Sequence, residues 1–263
     1  MFLVPLVVKK IYKEIKLDYK DRVALVTGAG RGIGAVIAER FAKEGATVVC
    51  SDIVSDGIDE VVENINSSGG KAIAIKGDVA NKDDVSGLVK GILKEYDRLD
   101  ILINNAGITR DALAMRMSED QWDSVVRVNL KGTWLPSQAV IRPMRKRKWG
   151  RIVNTSSIAA TGNVGQANYS ATKGAVISLT RTLALELASS GITVNCVAPG
   201  AIWTAMLEKV PEKNREMFLE RIPAGRFGSP EDIAATHMFL CSEGAAYITG
   251  QLIPIDGGLS IGM

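Results

Sequence analysis

The stretch Val23-Ala-Leu-Val-Thr-Gly-Ala-Gly-Arg-Gly-Ile-Gly34 decides the fold of this chain. Its first four residues form a short apolar run, and glycines follow at positions 28, 30, 32 and 34. Glycines permit a tight turn and let the backbone approach a pyrophosphate, which the free N–H groups of a following helix attract. Strand, turn and helix together predict a dinucleotide-binding site. Ile33 breaks the strict GxGxxG spacing, and a glycine turn without a ligand is the alternative.

Short apolar runs recur along the whole chain. They cover residues 23–26, 47–50, 72–75, 99–103, 151–154, 192–197 and 252–255, with amphipathic segments between them. Such runs are typical of strands buried on both faces, as in a parallel sheet covered by helices. The pattern predicts an α/β protein, a single doubly wound Rossmann domain with a seven-stranded parallel sheet and helices on both faces. We expect this domain over residues 20–263, an N-terminal extension over residues 1–19, and a small helical lid over residues 208–227.

The amino-acid composition excludes several classes of protein and of functional site. A net charge of +3 and 46% apolar residues exclude a disordered or fibrous chain and give no reason to expect nucleic-acid binding. The single histidine, His237, leaves too few ligands for a multi-histidine metal site and too few bases for a Ser-His-Asp triad, so we expect no metal. His237 lies in a helical pattern that favours a structural role.

The cysteines and the N-terminus bear on the compartment. Three widely spaced cysteines fit a reducing cytoplasm better than a disulfide framework. The apolar run over residues 1–8 is too short to span a bilayer and lacks the features of a signal peptide. We therefore expect a cytoplasmic protein that does not bind membranes.

Two residues near the glycine turn predict opposite dinucleotides. Asp52 ends the second apolar run about 20 residues after Gly32, where a carboxylate accepts the adenosine ribose hydroxyls and repels a 2′-phosphate. Arg31 can instead pair with a 2′-phosphate. The repulsion between a carboxylate and a phosphate in contact with it is hard to relieve, whereas Arg31 can turn into solvent. The sequence therefore favours NAD over NADP.

Tyr169 and Lys173 form a candidate acid/base pair. They are spaced i, i+4 in a helical segment, so they share one helix face. A neighbouring ammonium favours phenolate and is expected to lower the pKa of the tyrosine. Ser156 follows the fifth strand, 13 residues before Tyr169, and its hydroxyl can bond a substrate oxygen. Ser157 is the nearest alternative, and the spacing selects Ser156.

The chain resembles the short-chain dehydrogenase/reductase family in five motifs that occur in the family's order. They are TGxxxGxG from Thr27 to Gly34, Asn104-Asn-Ala-Gly107, Ser156, Tyr169-xxx-Lys173 and Pro199-Gly200. Within the family it is most similar to the 3-oxoacyl-[acyl-carrier-protein] reductases, through residues 104–111, 115–117, 162–169 and 256–258. The resemblance covers roughly residues 20–263.

The resemblance implies roles for individual residues. Tyr169 would protonate the carbonyl oxygen, Lys173 would hold the nicotinamide ribose, Ser156 would orient the carbonyl, and Asn129 would hold a water of the proton relay. The implied dinucleotide contacts are Gly28, Arg31, Gly32, Ile33, Gly34, Asp52, Ile53, Asp78, Val79, Asn105, Ala106, Gly107, Tyr169, Lys173, Pro199, Gly200, Ile202 and Thr204.

The resemblance also implies a reaction, an interconversion of a ketone and a secondary alcohol that uses NAD(H), with NADP as runner-up. The substrate would be a small carbonyl or alcohol, or a 3-oxoacyl thioester on an acyl carrier or coenzyme A. A broad alcohol dehydrogenase, carbonyl reductase or diketone reductase is the alternative, followed by a non-catalytic dinucleotide-binding regulator.

The resemblance bears on partners as well. Six basic residues lie between Arg142 and Arg151. They fit either a solvated helix end or a dock for an acidic carrier, although Ser190 replaces a second basic position of the carrier-protein reductases. Family members usually form tetramers in which the fourth and fifth helices pair, so the resemblance implies a homotetramer with residues 250–263 at a further interface.

Overall fold

Seven parallel strands form one sheet in the computed structural model, which describes residues 17–208 and 210–261. The strands are β1 (Val23–Thr27), β2 (Thr47–Asp52), β3 (Lys71–Lys76), β4 (Ile101–Asn104), β5 (Gly150–Thr155), β6 (Ile192–Pro199) and β7 (Leu252–Ile255). Each predicted strand is confirmed to within two residues at either end. Every side chain of β1, β4, β5 and β6 is buried, which explains why the continuous apolar runs identified them.

Helices cover both faces of the sheet, as predicted. They are α1 (Gly32–Lys43), α2 (Ser55–Ser67), α3 (Lys82–Tyr96), α4 (Glu119–Val125), α5 (Gly132–Arg147), α6 (Ala167–Leu187), α7 (Ala205–Glu208), α8 (Glu212–Glu220) and α9 (Pro230–Cys241). Apolar side chains of α1, α2 and α9 form one core with the sheet, and those of α3, α5 and α6 form the other. A π-helical turn, Val126–Lys131, joins α4 to α5.

Local sequence signals set several helix ends. Asn81 precedes α3, and its side chain accepts hydrogen bonds from the N–H groups of Asp83 and Asp84. Asp97 ends α3 in the left-handed conformation, with φ of 54°. Ser229 and Asp232 form a capping box at the start of α9. The caps at Asn81 and Ser229 satisfy N–H groups that a helix leaves free at its first turn. The residue types at these positions therefore determine where the two helices begin.

The order of strands in the sheet is β3-β2-β1-β4-β5-β6-β7. The chain moves outward in one direction from β1 to β3 and then crosses back to place β4 on the other side of β1. In such sheets the carboxyl ends of the two central strands diverge and leave a crevice for a ligand. The glycine turn follows β1 and the Asn105 turn follows β4, so both lie at this crevice.

The predicted lid is helical over part of its length. α8 lies within residues 208–227, and every residue of α8 is at least partly exposed. Trp203 and Phe227 flank the segment with ring centroids 5.6 Å apart, and the Arg215 guanidinium of α8 lies 5.5 Å from the Trp203 ring centre. This helix is therefore held by few buried contacts.

Tyr19 marks where the chain enters the core. It is 2% exposed, its ring meets Phe41 edge-on at 4.9 Å, and its hydroxyl donates to the carbonyl of Met238. The predicted extension lies outside the described residues over positions 1–16, and its boundary at residue 20 stays a prediction. No helix in the described part of the chain has the length and hydropathy to cross a membrane.

Candidate active site

The glycine turn has the shape of a pyrophosphate cradle. Gly28 and Gly32 have φ of +64° and +59°, and a Cβ on Gly34 would lie 2.1 Å from the carbonyl oxygen of Gly28. Arg31, at the start of α1, provides no side-chain cap, so the first N–H groups of the helix receive none from it. Bare backbone and free N–H groups at a helix start suit a phosphate, so these residues fit a dinucleotide.

Asp52 is fixed beside this turn at the end of β2. One carboxylate oxygen accepts the N–H of Gly30 at 3.2 Å, and the other accepts the N–H of Val54 at 3.3 Å. The side chain stays half-buried, while Arg31 and Ile53 are exposed. Each carboxylate oxygen retains a lone pair for a further hydroxyl donor. The geometry therefore fits a ribose with free hydroxyls.

Asp78 and Val79 lie after β3, on the adenine side of the predicted site. They line a shallow crevice with Ser51. The Asp78 carboxylate accepts a hydrogen bond from the Arg127 guanidinium at 2.7 Å. Burial alone would raise the pKa of Asp78, but the hydrogen bonds from Arg127 and the Ala80 N–H outweigh it and hold the pKa below its ordinary value. Asp78 is thus a fixed, charged residue beside the crevice.

The turn after β4 is tied to the glycine turn. The Asn105 side-chain amide donates to the carbonyls of Thr27 and Gly28 at 3.2 and 3.1 Å. The Thr27 hydroxyl accepts the N–H groups of Asn105 and Ala106 at 3.1 and 3.2 Å. The sequence had suggested no role for Thr27. Its hydroxyl joins the two turns on which the predicted cofactor site depends.

Gly107 and Asn129 connect this turn to the catalytic candidates. A Cβ on Gly107 would lie 3.4 Å from Oδ1 of Asn129 and 3.5 Å from Nζ of Lys173. Asn129 is fully buried in the π-helical turn, where its amide pairs with both backbone groups of Ile108, at 2.8 and 3.0 Å. Single π turns inside helices are frequent at functional sites. The side chain of Asn129 thus fixes the loop, and its water contact stays a prediction.

Tyr169 and Lys173 lie one turn apart near the start of α6. The Lys173 ammonium is 5.5 Å from the centre of the Tyr169 ring and donates to the carbonyl of Thr155 at 2.7 Å. The Lys173 side chain is buried, and this burial lowers its pKa to about 8. The predicted shared face of the two residues is confirmed.

The expected lowering of the Tyr169 pKa is wrong for this structure. Burial raises the pKa of Tyr169, an interaction with the Ser157 side chain opposes the rise, and the Asp111 charge adds to it. The phenol therefore holds its proton at neutral pH, which suits a proton donor.

Ser156 and Ser157 have exchanged the roles that the spacing suggested. The Ser156 hydroxyl is 2% exposed and donates to the carbonyl of Lys173 at 2.7 Å, which turns it away from the crevice. Ser157 is partly exposed and interacts with Tyr169. Because side chains alternate along extended backbone, only one of two adjacent serines faces the site. The structure therefore places Ser157, rather than Ser156, beside Tyr169, and the alternation of side chains along extended backbone is the sequence signal that separates the two.

The loop after β6 closes the crevice from the other side. Pro199 ends β6, and the Gly200 N–H donates to the Ile255 carbonyl at 3.0 Å. Ile202 is buried and pairs with Gly228. The Thr204 methyl group lies 3.9 Å from where a Cβ of Gly32 would be. The structure thus places Thr204 of this loop beside the glycine turn.

The basic segment from Arg142 to Arg151 lies elsewhere. It connects the end of α5 to the start of β5, whereas Ser157 and Tyr169 lie beyond the other end of that strand. Arg147 pairs with Asp97 at 3.0 Å, and Arg145 bonds Ser190 at 3.1 Å. The guanidinium groups of Arg22 and Arg151 lie 3.6 and 4.3 Å from the centre of the Trp149 ring. Several of these charges are therefore engaged within the chain.

Comparison with known proteins gives consistent matches. A family model described as "Enoyl-(Acyl carrier protein) reductase" matches residues 28–260. The 3-oxoacyl-[acyl-carrier-protein] reductase FabG of Thermotoga maritima is 48% identical, over 92% of this chain and 99% of the relative. The (2S)-[(R)-hydroxy(phenyl)methyl]succinyl-CoA dehydrogenase subunit BbsD of Thauera aromatica is 44% identical, over 93% and 99%.

Solved structures agree with these matches. A putative short-chain alcohol dehydrogenase from Sinorhizobium meliloti superposes with a TM-score of 0.90 at 38% identity, covering 94% of this chain and 100% of the other. Levodione reductase superposes with a TM-score of 0.89 at 34% identity, covering 92% and 99%.

Proposed function

Because the chain belongs to the short-chain dehydrogenase/reductase family and is an oxidoreductase acting on keto and CH–OH groups, we propose that it reduces a 3-oxoacyl thioester with NADH. The observation that carries the proposal is that Ser157 and Lys173 both lie beside Tyr169, with Lys173 next to Gly107 in the turn after β4. The relatives named as acyl-carrier-protein reductases support an acyl thioester as the substrate class.

The chain's own residues divide the work of the reduction. Bound NADH would supply the hydride to the carbonyl carbon. Tyr169 donates its phenol proton to the carbonyl oxygen, which the Ser157 hydroxyl holds by a second hydrogen bond. The Lys173 ammonium stabilises the phenolate that remains and holds the nicotinamide ribose. One hydride and one proton convert the ketone to a secondary alcohol.

The remaining predicted contacts belong to dinucleotide binding. The glycine turn and the start of α1 would hold the pyrophosphate, Asp52 the adenosine ribose, and Asp78 with Val79 the adenine. Asn105, Ala106 and Gly107 would line the adenosine side, while Pro199, Gly200, Ile202 and Thr204 would contact the nicotinamide end. Asn129 keeps the loop through Ile108 in place beside Lys173.

Replacement of the acid/base tests the mechanism. We expect Tyr169→Phe to lower kcat at least ~100-fold, the range of general acid catalysis, with NADH binding nearly unchanged. Ser157→Ala should lower kcat more than Ser156→Ala does. NADH absorbance with acetoacetyl-CoA measures turnover, and fluorescence titration measures binding. Near-normal turnover of Tyr169→Phe would contradict the mechanism, and a greater loss in Ser156→Ala would assign the carbonyl contact to Ser156 instead.

Cofactor preference follows from Asp52. We expect kcat/KM to favour NADH over NADPH by about tenfold or more, since ~1.4 kcal/mol of repulsion suffices for that ratio. Asp52→Ser should reduce the preference, whereas Asp59→Ser, exposed on α2, should leave it unchanged. A wild-type preference for NADPH would overturn the assignment.

A broad carbonyl or diketone reductase is the second candidate, favoured by the structural match to levodione reductase. The same assay with a cyclic ketone and a diketone separates the two, because the thioester reductase prefers acetoacetyl-CoA. If NADH is consumed with none of these substrates, a dinucleotide-binding regulator would be favoured instead.

A further inference from the structure

Three consecutive residues at the end of β5 are bonded to α6. The Asn154 side-chain amide donates a hydrogen bond to the Thr180 hydroxyl at 2.9 Å, and the Lys173 ammonium donates one to the Thr155 carbonyl at 2.7 Å. The Ser156 hydroxyl donates to the Lys173 carbonyl at 2.7 Å. β5 leads directly into Ser157, and α6 carries Tyr169 and Lys173. These three bonds therefore join the two elements whose separation sets the geometry of the proposed site.

The bond between Asn154 and Thr180 continues into a buried polar chain. The Asn104 amide donates to Oδ1 of Asn154 at 2.8 Å and to the Ser137 hydroxyl at 2.9 Å. Ser137 donates to the carbonyl of Thr133, and Thr133 donates to the carbonyl of Asn129, each at 2.7 Å. The chain thus runs from Asn129 through α5, β4 and β5 to α6.

The hydroxyl groups fix the direction of every bond in this chain. Thr180 gives its own proton to the Val176 carbonyl at 2.8 Å, so its oxygen can only accept from Asn154. Ser137 gives its proton to the Thr133 carbonyl, so it can only accept from Asn104. Each asparagine amide therefore has one orientation in which its bonds are made, and each link specifies the position of its neighbour.

The hydrogen bonds of this polar chain are buried, so each of its groups needs its partner. The side chains of Asn104, Ser137, Asn154 and Thr180 are at most 3% exposed. A buried donor left without a partner is destabilising, so these hydrogen bonds oppose a shift of β5 along α6. Apolar side chains would fill the same space without specifying a register.

We propose that Asn154 and Thr180 are positioning residues, which hold Ser157 at the correct distance from Tyr169 and Lys173. The inference rests on the proposed function, since it concerns the alignment of those three groups. The side chains of both residues bond each other and act on the site indirectly. Thr180 lies two turns from Lys173 along α6 and acts through Asn154.

A matched pair of variants tests the inference. Thr180→Val keeps the shape and removes the hydroxyl, whereas Thr180→Ser keeps the hydroxyl. We expect Thr180→Val to lower kcat about tenfold, because small misplacements of reacting groups slow the chemical step, and to raise the primary isotope effect with deuterated NADH. The KM for NADH should change by less than about twofold. In Thr180→Ser, kcat and the isotope effect should return to their wild-type values.

Controls separate alignment from stability. Thr182→Val removes an exposed hydroxyl that bonds only its own helix, so kcat should stay unchanged. If Thr180→Val does not fold, Ser137→Ala tests the same chain from its other end and should give the same kind of loss. A Thr180→Val protein with a lowered melting temperature but wild-type kcat and isotope effect would overturn the inference. Tyr169→Phe, measured beside it, reports on the proposed function alone, because its retained turnover would contradict that proposal instead.

Discussion

His237 is a fully buried residue of α9, and it makes stability depend on pH. Its Nδ1 lies 3.0 Å from the Ile233 carbonyl, and Nε2 has no partner among the described residues. Burial lowers its pKa from 6.5 to about 4. The unfolded chain binds a proton below pH 6.5 and the folded protein only near pH 4, so stability is lost as the pH falls through this window.

This shift corresponds to about 3 kcal/mol at most between pH 6.5 and pH 4. We expect His237→Leu to lose that part of the acid dependence, while the dependence due to carboxylates remains. Urea unfolding of both proteins across this pH range measures the difference. Parallel curves for the two proteins would show that His237 is not responsible.

At the residue scale, sequence predicted the chemical types and missed the orientations. Tyr169, Lys173 and Asn129 were found by spacing and resemblance, and the structure places them together. Ser156 was chosen by a count of residues, but the direction of a side chain at a strand end depends on where extended backbone stops. The pKa of Tyr169 could not be predicted either, because it depends on burial that the i, i+4 spacing does not reveal.

Two glycines in helices show how the same residue type has different roles. Gly34 in α1 packs against the Gly28 carbonyl, whereas a Cβ on Gly87 in α3 would meet nothing within 4 Å. We expect Gly34→Ala to displace α1 from the turn and lose NADH binding. Gly87→Ala should keep binding and stabilise the protein by ~0.5–1 kcal/mol, the helix preference of alanine over glycine. Melting curves and NADH titrations check both, and tight NADH binding by Gly34→Ala would contradict the role of this contact.

At the element scale, prediction succeeded where burial is continuous. All seven strands could be read from apolar runs, but only β1, β4, β5 and β6 are buried along their whole length, while the edge strands β3 and β7 keep several partly exposed residues. The π-helical turn around Asn129 was not predictable, since its sequence, Val126 to Lys131, has no feature that separates it from an ordinary helix. The lid was predicted by its position between β6 and the last helix rather than by any apolar face of α8.

At the scale of the whole molecule, two helices of the described chain, α5 and α6, each leave a large apolar side chain exposed. Trp134 on α5 is 41% exposed and Leu185 on α6 is 86% exposed. We expect a homotetramer, which gel filtration at micromolar concentration should show as about four times 28.2 kDa. Leu185→Glu should give smaller species, and Lys94→Glu on α3 should not. A wild-type monomer would contradict the prediction.

The order of strands has a consequence for how the chain folds during synthesis. β1 is made first, and each later strand joins an edge that already exists: β2 and β3 on one side, then β4 to β7 in turn on the other. Until β7 is made, the outermost strand on that side (β1, then β4, β5 and β6 in turn) has a free edge, and open edges of this kind promote aggregation. We therefore expect a nascent chain that ends before Leu252 to need chaperone protection, and one that has completed the sheet to need less.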